Sequence, residues 1–393
     1  MPVGSGHSAY AEANLFQLMR PCEYFLYHIH FCICMISIRK FLRGVEDNLQ
    51  NPAKQAHFIL SEKYAALTLR TVPCFPFTRL GFSVDSDASC DSGWLVASDP
   101  ALTSVSTRIP KCRRVYVISE PSPMNHLPAE FLNQFGILVC PYLPKDFKGF
   151  WFKSHPGLAW YFGAVFECGG FLPRLDYSQL ESMDVPSKEE KISVIVSNKV
   201  MHDGHRRRLR FVELLQDLIG DRLVVFGRGI REISDKADAI LPYAYHLSLE
   251  NTVEESYWTE KLADSYLGYA LPIYAGCPDV SNWFPEESLL KIDLKKPEEA
   301  CDIVSSALEN GLWAKRIEAI QEARNRILRH ETIFDVALRA IAASPIVDSL
   351  SLGQGICQIR AAGKPRWPSR MKREFHRLFQ RMTFHFKIQP TER

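Results

Sequence analysis

Short apolar segments alternate with amphipathic ones most clearly between residues 190 and 345. Short apolar runs are typical of buried strands, and apolar residues at every third or fourth position are typical of helices. The pattern therefore predicts strands at 192–197, 222–226, 243–249, 271–274 and 289–292. It also predicts helices at 206–219, 260–269, 297–309 and 312–329.

The first half of the chain shows the same alternation less clearly, and residues 1–70 carry only weak signals. Residues 113–119 form a β-branched and aromatic run that stops at Glu120 and Pro121, which predicts a strand followed by a turn. A helical pattern over 128–135 and a short apolar run at 136–140 follow. Alternating strands and helices predict a parallel α/β sheet, with Glu120 at the carboxyl end of a strand.

Length and polarity suggest how the chain is divided. A length of 393 residues favours two domains, and the polar stretch at 176–190 is the best linker candidate. We therefore predict an α/β domain over 1–175, a second over 191–345, and a cleft between them. The second domain has a Rossmann-like period but lacks GxGxxG, so a nicotinamide or flavin dinucleotide is not indicated.

Composition excludes several classes of protein. Hydrophobic residues at 46% and charged residues at 23% are typical of a folded soluble protein. The net charge of +2 lacks the excess expected of a dedicated nucleic-acid binder. Eleven cysteines without a CxxC pair fit neither a disulfide framework nor a thiolate zinc site, which favours a reducing compartment and a cytoplasmic location.

Two segments bear on membrane contact. Residues 25–38 are apolar but too short to span, and they contain His28 and His30, so we interpret them as a buried helix or strand. A signal anchor there is the alternative and would place the protein in the Golgi membrane. Residues 360–393 carry ten Lys or Arg against two Glu, and within them 368–388 form a basic amphipathic pattern. This helix is expected to lie on the inner face of the cytoplasmic membrane, with packing on the protein or at a homodimer interface as the alternative.

The densest cluster of unusual residues follows the strand at 243–249. Glu250 and Asn251 end that strand, and Thr259 to Lys261 open a helix whose backbone N–H groups favour an anion such as a diphosphate. A lysine in the first helical turn is unfavourable with the helix dipole unless an anion lies there, so Lys261 indicates a ligand. The alternative is that Thr259 is a plain N-cap followed by a solvated turn.

The same residues carry a family resemblance. The runs YAYHLSLENT at 243–252, YWTEK at 257–261 and ALPIYAG at 270–276 closely resemble the C-terminal signature of the α-1,3/4-fucosyltransferases, glycosyltransferase family 10. The likeness extends over about 190–340 and resembles the bacterial type. In the first half it is looser, at 118–121, 132–135 and 158–163, and residues 1–100 match nothing quotable.

This resemblance implies a fold and a donor site. The fold would be GT-B, two Rossmann-like α/β domains facing across a cleft, with the acceptor glycan on the first domain and GDP-fucose on the second. Lys261 and Arg208 would neutralise the diphosphate, with Arg207 as the fallback, and Glu260 would accept a ribose hydroxyl. Further donor contacts would come from Glu250, Asn251 and Tyr257. Thr252 and Leu249 depart mildly from the family pattern.

Glu120 corresponds by resemblance to the general base of an inverting transfer. Such a base removes the acceptor hydroxyl proton as the anomeric carbon is attacked from the face opposite the nucleotide. Apolar and proline neighbours are expected to make this carboxylate more basic. The alternative is a turn residue before Pro121, in which case Glu130, Asp146 or Glu167 would be the next acids to consider.

No cofactor is expected besides the donor substrate. The runs at 243–276 contain no Asp-x-Asp, and Arg with Lys can balance a diphosphate, so a metal is not required, although Mn²⁺ stays open. His202 and His205 beside Asp203 are a weak metal candidate. The predicted activity is transfer of fucose to O3 or O4 of GlcNAc or Glc in a surface glycan such as a lipopolysaccharide side chain. Use of another nucleotide sugar, or non-catalytic glycan or nucleotide binding, is the alternative.

Overall fold

The computed structural model describes residues 56–60, 62–72, 82–84, 93–98, 105–167, 169–196, 203–227, 229–345 and 357–359. The segment at 25–38, the basic tail at 360–393 and His202 lie outside these ranges, so their predictions stay predictions. Within the described ranges, no helix is both long enough and apolar enough to cross a membrane.

The first half is built on a six-stranded parallel sheet in the order β2-β1-β3-β5-β6-β7. Its strands are β1 (Ala56–Ile59), β2 (Phe82–Val84), β3 (Trp94–Ser98), β5 (Arg114–Val117), β6 (Ile137–Cys140) and β7 (Phe150–Lys153). Helices α1 (Glu62–Arg70) and α2 (Ala129–Leu132) belong to this half. Every residue of β5 and β6 is buried, as expected of parallel strands covered on both faces.

Two small antiparallel pairs accompany the first sheet. Strand β4 (Val105–Thr107) pairs with β15 (Cys357–Ile359) near the end of the described chain. Strands β8 (Ala164–Glu167) and β9 (Gly170–Pro173) form a hairpin that packs on α1. Phe171 of this hairpin stacks on Tyr64 and Tyr161, two residues that line the cleft described below.

The second half is built on a five-stranded parallel sheet in the order β11-β10-β12-β13-β14. Its strands are β10 (Glu189–Ile195), β11 (Leu223–Phe226), β12 (Tyr243–Leu249), β13 (Leu271–Ala275) and β14 (Leu290–Lys291). The helices of this half are α4 (Asp203–Ile219), α5 (Ala237–Ile240), α6 (Glu260–Leu267), α7 (Pro297–Glu309), α8 (Leu312–Lys315) and α9 (Ile317–His330). All seven residues of β12 are buried, which places the strand that leads to the candidate site at the centre of the core.

The sequence patterns located these elements well, and the α/β, GT-B prediction is confirmed. Two parallel sheets with their helices face each other across a cleft. Predicted strands 243–249 and 271–274 and helix 297–309 differ from the observed elements by one residue at most.

Three predictions of organisation need correction. The proposed linker at 176–190 contains α3 (Tyr177–Glu181), which is held by a capping box between Asp176 and Gln179, and it also contains the start of β10. The single helix expected over 312–329 is interrupted at Arg316, so it forms α8 and α9.

The third correction concerns the last helix, α10 (Ile333–Ala343). Our boundary assigned it to the second domain, but its apolar side packs in the core of the first sheet. The ring of Phe334 lies 4.7 Å from that of Phe58 in β1, in an edge-to-face arrangement. The chain therefore returns to the first half after completing the second, and both halves contribute to the walls of the cleft.

Candidate functional site

A cleft of about 420 Å³ lies between the two sheets. The first half contributes Ser119 and Glu120 from the turn after β5, and a segment at 156–161. The second half contributes Asn251 and Tyr257 from the loop after β12, and Thr259, Glu260 and Lys261 from the start of α6. The carboxyl ends of two parallel sheets thus meet here, where open α/β sheets bind ligands.

The start of α6 is held in place by a buried carboxylate. Thr259 is the N-cap, since its hydroxyl oxygen accepts from the backbone N–H of Lys261. Glu250 accepts hydrogen bonds from the Thr259 backbone N–H at 2.8 Å and from its hydroxyl. A methyl group on Gly276 would lie 2.5 Å from the Glu250 side chain, so the glycine leaves room for this carboxylate.

Glu250 was predicted to contact the donor, and that role stays a prediction. Glu250 is only 4% exposed, and it is absent from the described lining of the cleft. Burial raises the pKa of Glu250, and the neighbouring Lys261 charge and the Thr259 hydrogen bonds partly offset this effect. Glu250 is therefore a residue that positions Thr259 and Lys261.

Lys261 reaches the cleft with its charge already paired. Its Nζ lies 3.3 Å from Glu260 Oε1, 3.4 Å from Glu250 Oε2 and 3.2 Å from the Thr259 hydroxyl oxygen. Burial lowers the pKa of Lys261, but the two carboxylates outweigh burial and the net pKa is raised. The argument that Lys261 is misplaced without an anion is therefore wrong, because Glu250 and Glu260 already compensate its charge.

Glu260 is the acidic group of the second half at the cleft. Burial alone would raise its pKa, but Lys261 and Lys236 together lower it to about 2, so Glu260 is ionised at neutral pH. The Lys236 Nζ lies 3.8 Å from Glu260 Oε1 and 2.7 Å from Asp264 Oδ2. An ionised acceptor of this kind suits a ligand hydroxyl group.

Arg208 lies outside the described lining of the cleft. Its Nη1 donates to the carbonyl oxygen of Leu249 at 3.0 Å, while its buried Nε has no hydrogen-bond partner among the described residues. Burial lowers the pKa of Arg208 to about 10, against the raising effect of Glu250. Arg208 therefore stays charged near neutrality and braces the end of β12, one residue before the Glu250–Asn251 pair.

The turn that carries Glu120 is held on both sides by the loop after β12. The hydroxyl of Tyr257 donates to the carbonyl oxygen of Ser119 at 3.3 Å, and the backbone N–H of Ser122 donates to Glu254 Oε2 at 3.0 Å. At the end of β7, Lys153 forms an ion pair with Glu255 at 2.6 Å. These contacts fix the first half against the loop after β12.

Glu120 is exposed, whereas its neighbours in the sequence predicted an apolar setting for the carboxylate. Its position on the cleft nevertheless agrees with the prediction. Glu120 and Glu260 are the two acids among the described lining residues, whereas Glu130, Asp146 and Glu167 do not belong to that set. Five of the seven predicted site residues thus share the cleft, namely Glu120, Asn251, Tyr257, Glu260 and Lys261. Their chemical roles stay predictions.

Sequence reasoning missed the wall formed by Tyr64 and Tyr161, which also line the cleft. The backbone N–H groups of Tyr161 and Phe162 donate to Asp264 Oδ1 at 2.9 and 3.0 Å. Arg70 donates to the carbonyl oxygens of Trp160 and Gly163. The signal available in the sequence was Asp264, one turn after Glu260 on the apolar side of the helix. A buried acid of this kind needs hydrogen-bond partners from another segment.

A second buried polar group supports the segment at 156–159. His155 Nε2 lies 2.8 Å from Glu331 Oε2, and its Nδ1 accepts from the backbone N–H of Gly157. The imidazole stacks on Trp258 with ring centroids 4.0 Å apart. A methyl group on Gly157 would lie 2.6 Å from the backbone nitrogen of Ile333, so both residues are closely packed where the chain returns to the first half.

The described part of the chain contains no group of three or more His, Cys, Asp or Glu side chains able to hold a metal ion. His202 lies outside the described ranges, so that candidate stays a prediction. The charged side chains in the described lining of the cleft are those of Glu120, Glu260 and Lys261.

Comparison with known proteins supports the resemblance of the second half to the fucosyltransferases. Residues 185–310 match the family model described as glycosyltransferase family 10 (fucosyltransferase) C-term. The alpha-(1,3)-fucosyltransferase FucT of Helicobacter pylori is 34% identical over 73 residues, 18% of this chain and 15% of that protein. The human 4-galactosyl-N-acetylglucosaminide 3-alpha-L-fucosyltransferase 9 is 27% identical over 133 residues, 32% of this chain and 36% of that protein.

The chain thus spans well under half the length of these two relatives. Among solved structures, an alpha1,3-fucosyltransferase with GDP superposes with a TM-score of 0.44 at 15% identity, covering 73% of this chain and 93% of that one. The match over residues 185–310 includes β12, the start of α6 and β13, which carry the second-half wall of the cleft. Residues 185–310, which carry this wall, are therefore similar to the C-terminal part of glycosyltransferase family 10, the fucosyltransferases.

Proposed function

We propose that this protein is an inverting fucosyltransferase that transfers L-fucose from GDP-fucose to a hydroxyl group of an oligosaccharide. The observation that carries the proposal is the shared cleft. Glu120 approaches from the first sheet, while Glu260 and Lys261 approach from the second. A proton acceptor and a diphosphate site on opposite walls are what a direct displacement between two substrates needs.

The reaction would proceed in one displacement. The acceptor oxygen forms a bond to the anomeric carbon of fucose as the bond from that carbon to the β-phosphate oxygen breaks. The acceptor proton passes to the Glu120 carboxylate, and GDP leaves with the additional negative charge. Lys261 would stabilise that charge, as ammonium groups do for leaving phosphates.

In this proposal the ionised Glu260 accepts a hydrogen bond from a ribose hydroxyl, and Asn251 and Tyr257 contact the donor. Lys261 can turn toward the diphosphate because it is held by three contacts of 3.2 to 3.4 Å rather than by one short ion pair. Glu250 would stay behind it and keep α6 in place. Arg208 would contribute its charge from the end of β12.

The acceptor would lie against the first half, with O3 or O4 of GlcNAc or Glc near Glu120. The human relative is named for a 4-galactosyl-N-acetylglucosaminide acceptor. N-acetyllactosamine is therefore the first probe to use here, with lipopolysaccharide side chains as further acceptors.

Transfer to N-acetyllactosamine should be measured with equal concentrations of GDP-fucose, GDP-mannose, UDP-galactose and UDP-N-acetylglucosamine. The proposal predicts product with GDP-fucose and turnover at least tenfold lower with the others, since a nucleotide-sugar site must match both base and sugar. Efficient transfer from a different donor would contradict the assigned sugar. GDP binding without transfer to any acceptor would favour a non-catalytic binding protein.

A further inference from the structure

One wall of the cleft is aromatic and lies on the side of the first half. Tyr64 from α1 and Tyr161 both line the cleft. Phe171 of β9 stacks against each of them, with ring centroids 5.5 Å from Tyr64 and 4.7 Å from Tyr161 and interplanar angles of 20° and 13°. The three rings are therefore nearly parallel.

The aromatic surface continues out of the cleft along the β8–β9 hairpin. Phe166 pairs across the hairpin with Phe171 in register, and their ring centroids are 5.0 Å apart in an edge-to-face arrangement. Phe166 is 54% exposed, an unusual position for a large apolar side chain. Tyr64, Tyr161, Phe166 and Phe171 are thus linked by ring contacts, and we call this set the aromatic strip.

The strip is held rigidly from beneath. The backbone N–H of Tyr161 is bonded to Asp264, which is 1% exposed and also pairs with Lys236. The Lys236 Nζ lies 4.7 Å from the centre of the Tyr161 ring. On the hairpin, Val165 forms an antiparallel bridge with Asp235 of the second half. Fixed aromatic rings bind a flexible ligand with a smaller loss of entropy than mobile ones.

The polar surroundings of the strip suit a sugar. The Lys63 Nζ lies 4.9 Å from the centre of the Tyr64 ring and 5.5 Å from that of Phe166. Pyranose rings have apolar C–H faces that pack on aromatic rings, and hydroxyl groups at their edges that need polar partners. An ammonium group beside exposed rings supplies both kinds of contact within one surface.

We propose that the aromatic strip is an acceptor subsite that stacks pyranose rings of the oligosaccharide beyond the residue receiving fucose. This inference rests on the proposed function, since it takes the cleft as the transfer site. Tyr64 and Tyr161 lie on the same cleft as Glu120, so a chain whose reacting sugar is at Glu120 can continue over them toward Phe166. The strip thus selects extended β-linked galactosyl and N-acetylglucosaminyl chains over single sugars.

The test uses the full chain with GDP on an array of β-linked galactosyl and N-acetylglucosaminyl oligosaccharides of two to six sugars. The wild-type protein should retain the longer glycans, and Phe166→Ala and Tyr64→Ala should each weaken retention by about tenfold. Phe166→Tyr keeps a ring and should restore binding. The matched control is Leu218→Ala on α4, whose side chain is also exposed, at 56%.

Two results would overturn the subsite. One is that wild-type protein retains no glycan of the array, and the other is that Phe166→Ala and Tyr64→Ala both retain glycans as wild type does. Binding of phosphatidylglycerol vesicles that is lost in Phe166→Ala, without glycan retention, would assign the strip to a membrane surface instead. Calorimetry with GDP separates this test from the proposed function, because the strip variants should bind GDP with unchanged affinity. Glycan retention that depends on Phe166, in a protein that transfers no fucose, would support the subsite and reject the activity.

Discussion

The hydroxyl of Tyr257 donates a hydrogen bond to the backbone carbonyl oxygen of Ser119, the residue before Glu120. Tyr257 belongs to the loop after β12 and also lines the cleft. Burial, followed by the charge of Glu250, raises the pKa of Tyr257 well above its ordinary value, so the phenol stays a neutral donor. A residue of the loop after β12 therefore positions the turn that carries the proposed base.

Tyr257→Phe removes this hydrogen bond and keeps the ring. A neutral hydrogen bond contributes about 1 kcal/mol, so we expect the transfer rate constant to fall about threefold to tenfold through misplacement of Glu120. The affinity for GDP should change by less than about twofold, since the ring and its packing remain. Steady-state kinetics with calorimetric titration of GDP measures both quantities. A large loss of GDP affinity with normal turnover would show that the hydroxyl serves the nucleotide and not the Ser119 turn.

Lys261→Ala should weaken GDP binding by about 1.5 to 3 kcal/mol, the value of a charge-assisted contact. It should also lower the melting temperature, because the buried Glu250 loses its cation. Arg208→Ala should weaken GDP binding less than Lys261→Ala does, since the Arg208 guanidinium already bonds to Leu249. Titration calorimetry of the two variants beside the exposed control Lys295→Ala checks this order. Wild-type affinity in Lys261→Ala would remove this residue from the donor site.

The sequence sufficed to predict the second half of the fold because its strands and helices follow simple periodic patterns. The buried run at Tyr243–Leu249 and the N-cap Thr259 are local features, and both were found. The placement of α10 on the first sheet depends on packing between distant segments, as Phe334 against Phe58 illustrates, and no local pattern reveals it.

The same limit applies to the site. Lys261 was recognised as an unusual first-turn residue, but its pairing with Glu250 depends on how the end of β12 meets α6. Tyr64 and Tyr161 are 97 positions apart in the sequence, and their rings become neighbours only in the folded chain. Contacts between remote residues therefore had to come from the structure.

Acid should destabilise the protein through buried His246. Burial is the main reason that the pKa of His246 falls to about 3, with smaller effects from Lys236 and Lys188. An unfolded histidine has a pKa of about 6.5, so the unfolded state binds the proton more readily. The stability contributed by neutral His246 is complete above pH 6.5 and is lost progressively as pH falls toward 3. At pH 5 the loss amounts to about 2 kcal/mol.

Thermal unfolding at pH 7.5 and pH 5.0 measures this effect. We expect the melting temperature of wild type to fall between these pH values, and to fall less in His246→Gln. The exposed His126→Gln should behave as wild type does. An equal pH dependence in all three proteins would show that His246 does not carry the linkage. Burial also lowers the pKa of His155, so this residue destabilises the protein in acid in the same way. The melting temperature of His246→Gln should therefore still fall somewhat between pH 7.5 and pH 5.0.

Chelation should leave transfer largely intact. The proposal assigns the leaving diphosphate to Lys261 and Arg208, which supply positive charge without a cation. Activity measured in excess EDTA should stay within about twofold of the untreated enzyme, with MnCl₂ addition as the control. Activity that is lost in EDTA and restored by manganese would contradict the assigned charge balance.

The central claim is that Glu120 removes the acceptor proton, and Glu120→Gln tests it most directly. The substitution keeps the shape of the side chain but cannot accept the proton. Transfer from GDP-fucose should therefore fall by a factor of about 10² to 10⁴. The affinity for GDP-fucose and the melting temperature should stay near those of wild type, because Glu120 is exposed and lies on the wall opposite Lys261. Transfer at a near-wild-type rate in the folded Glu120→Gln protein would contradict the account.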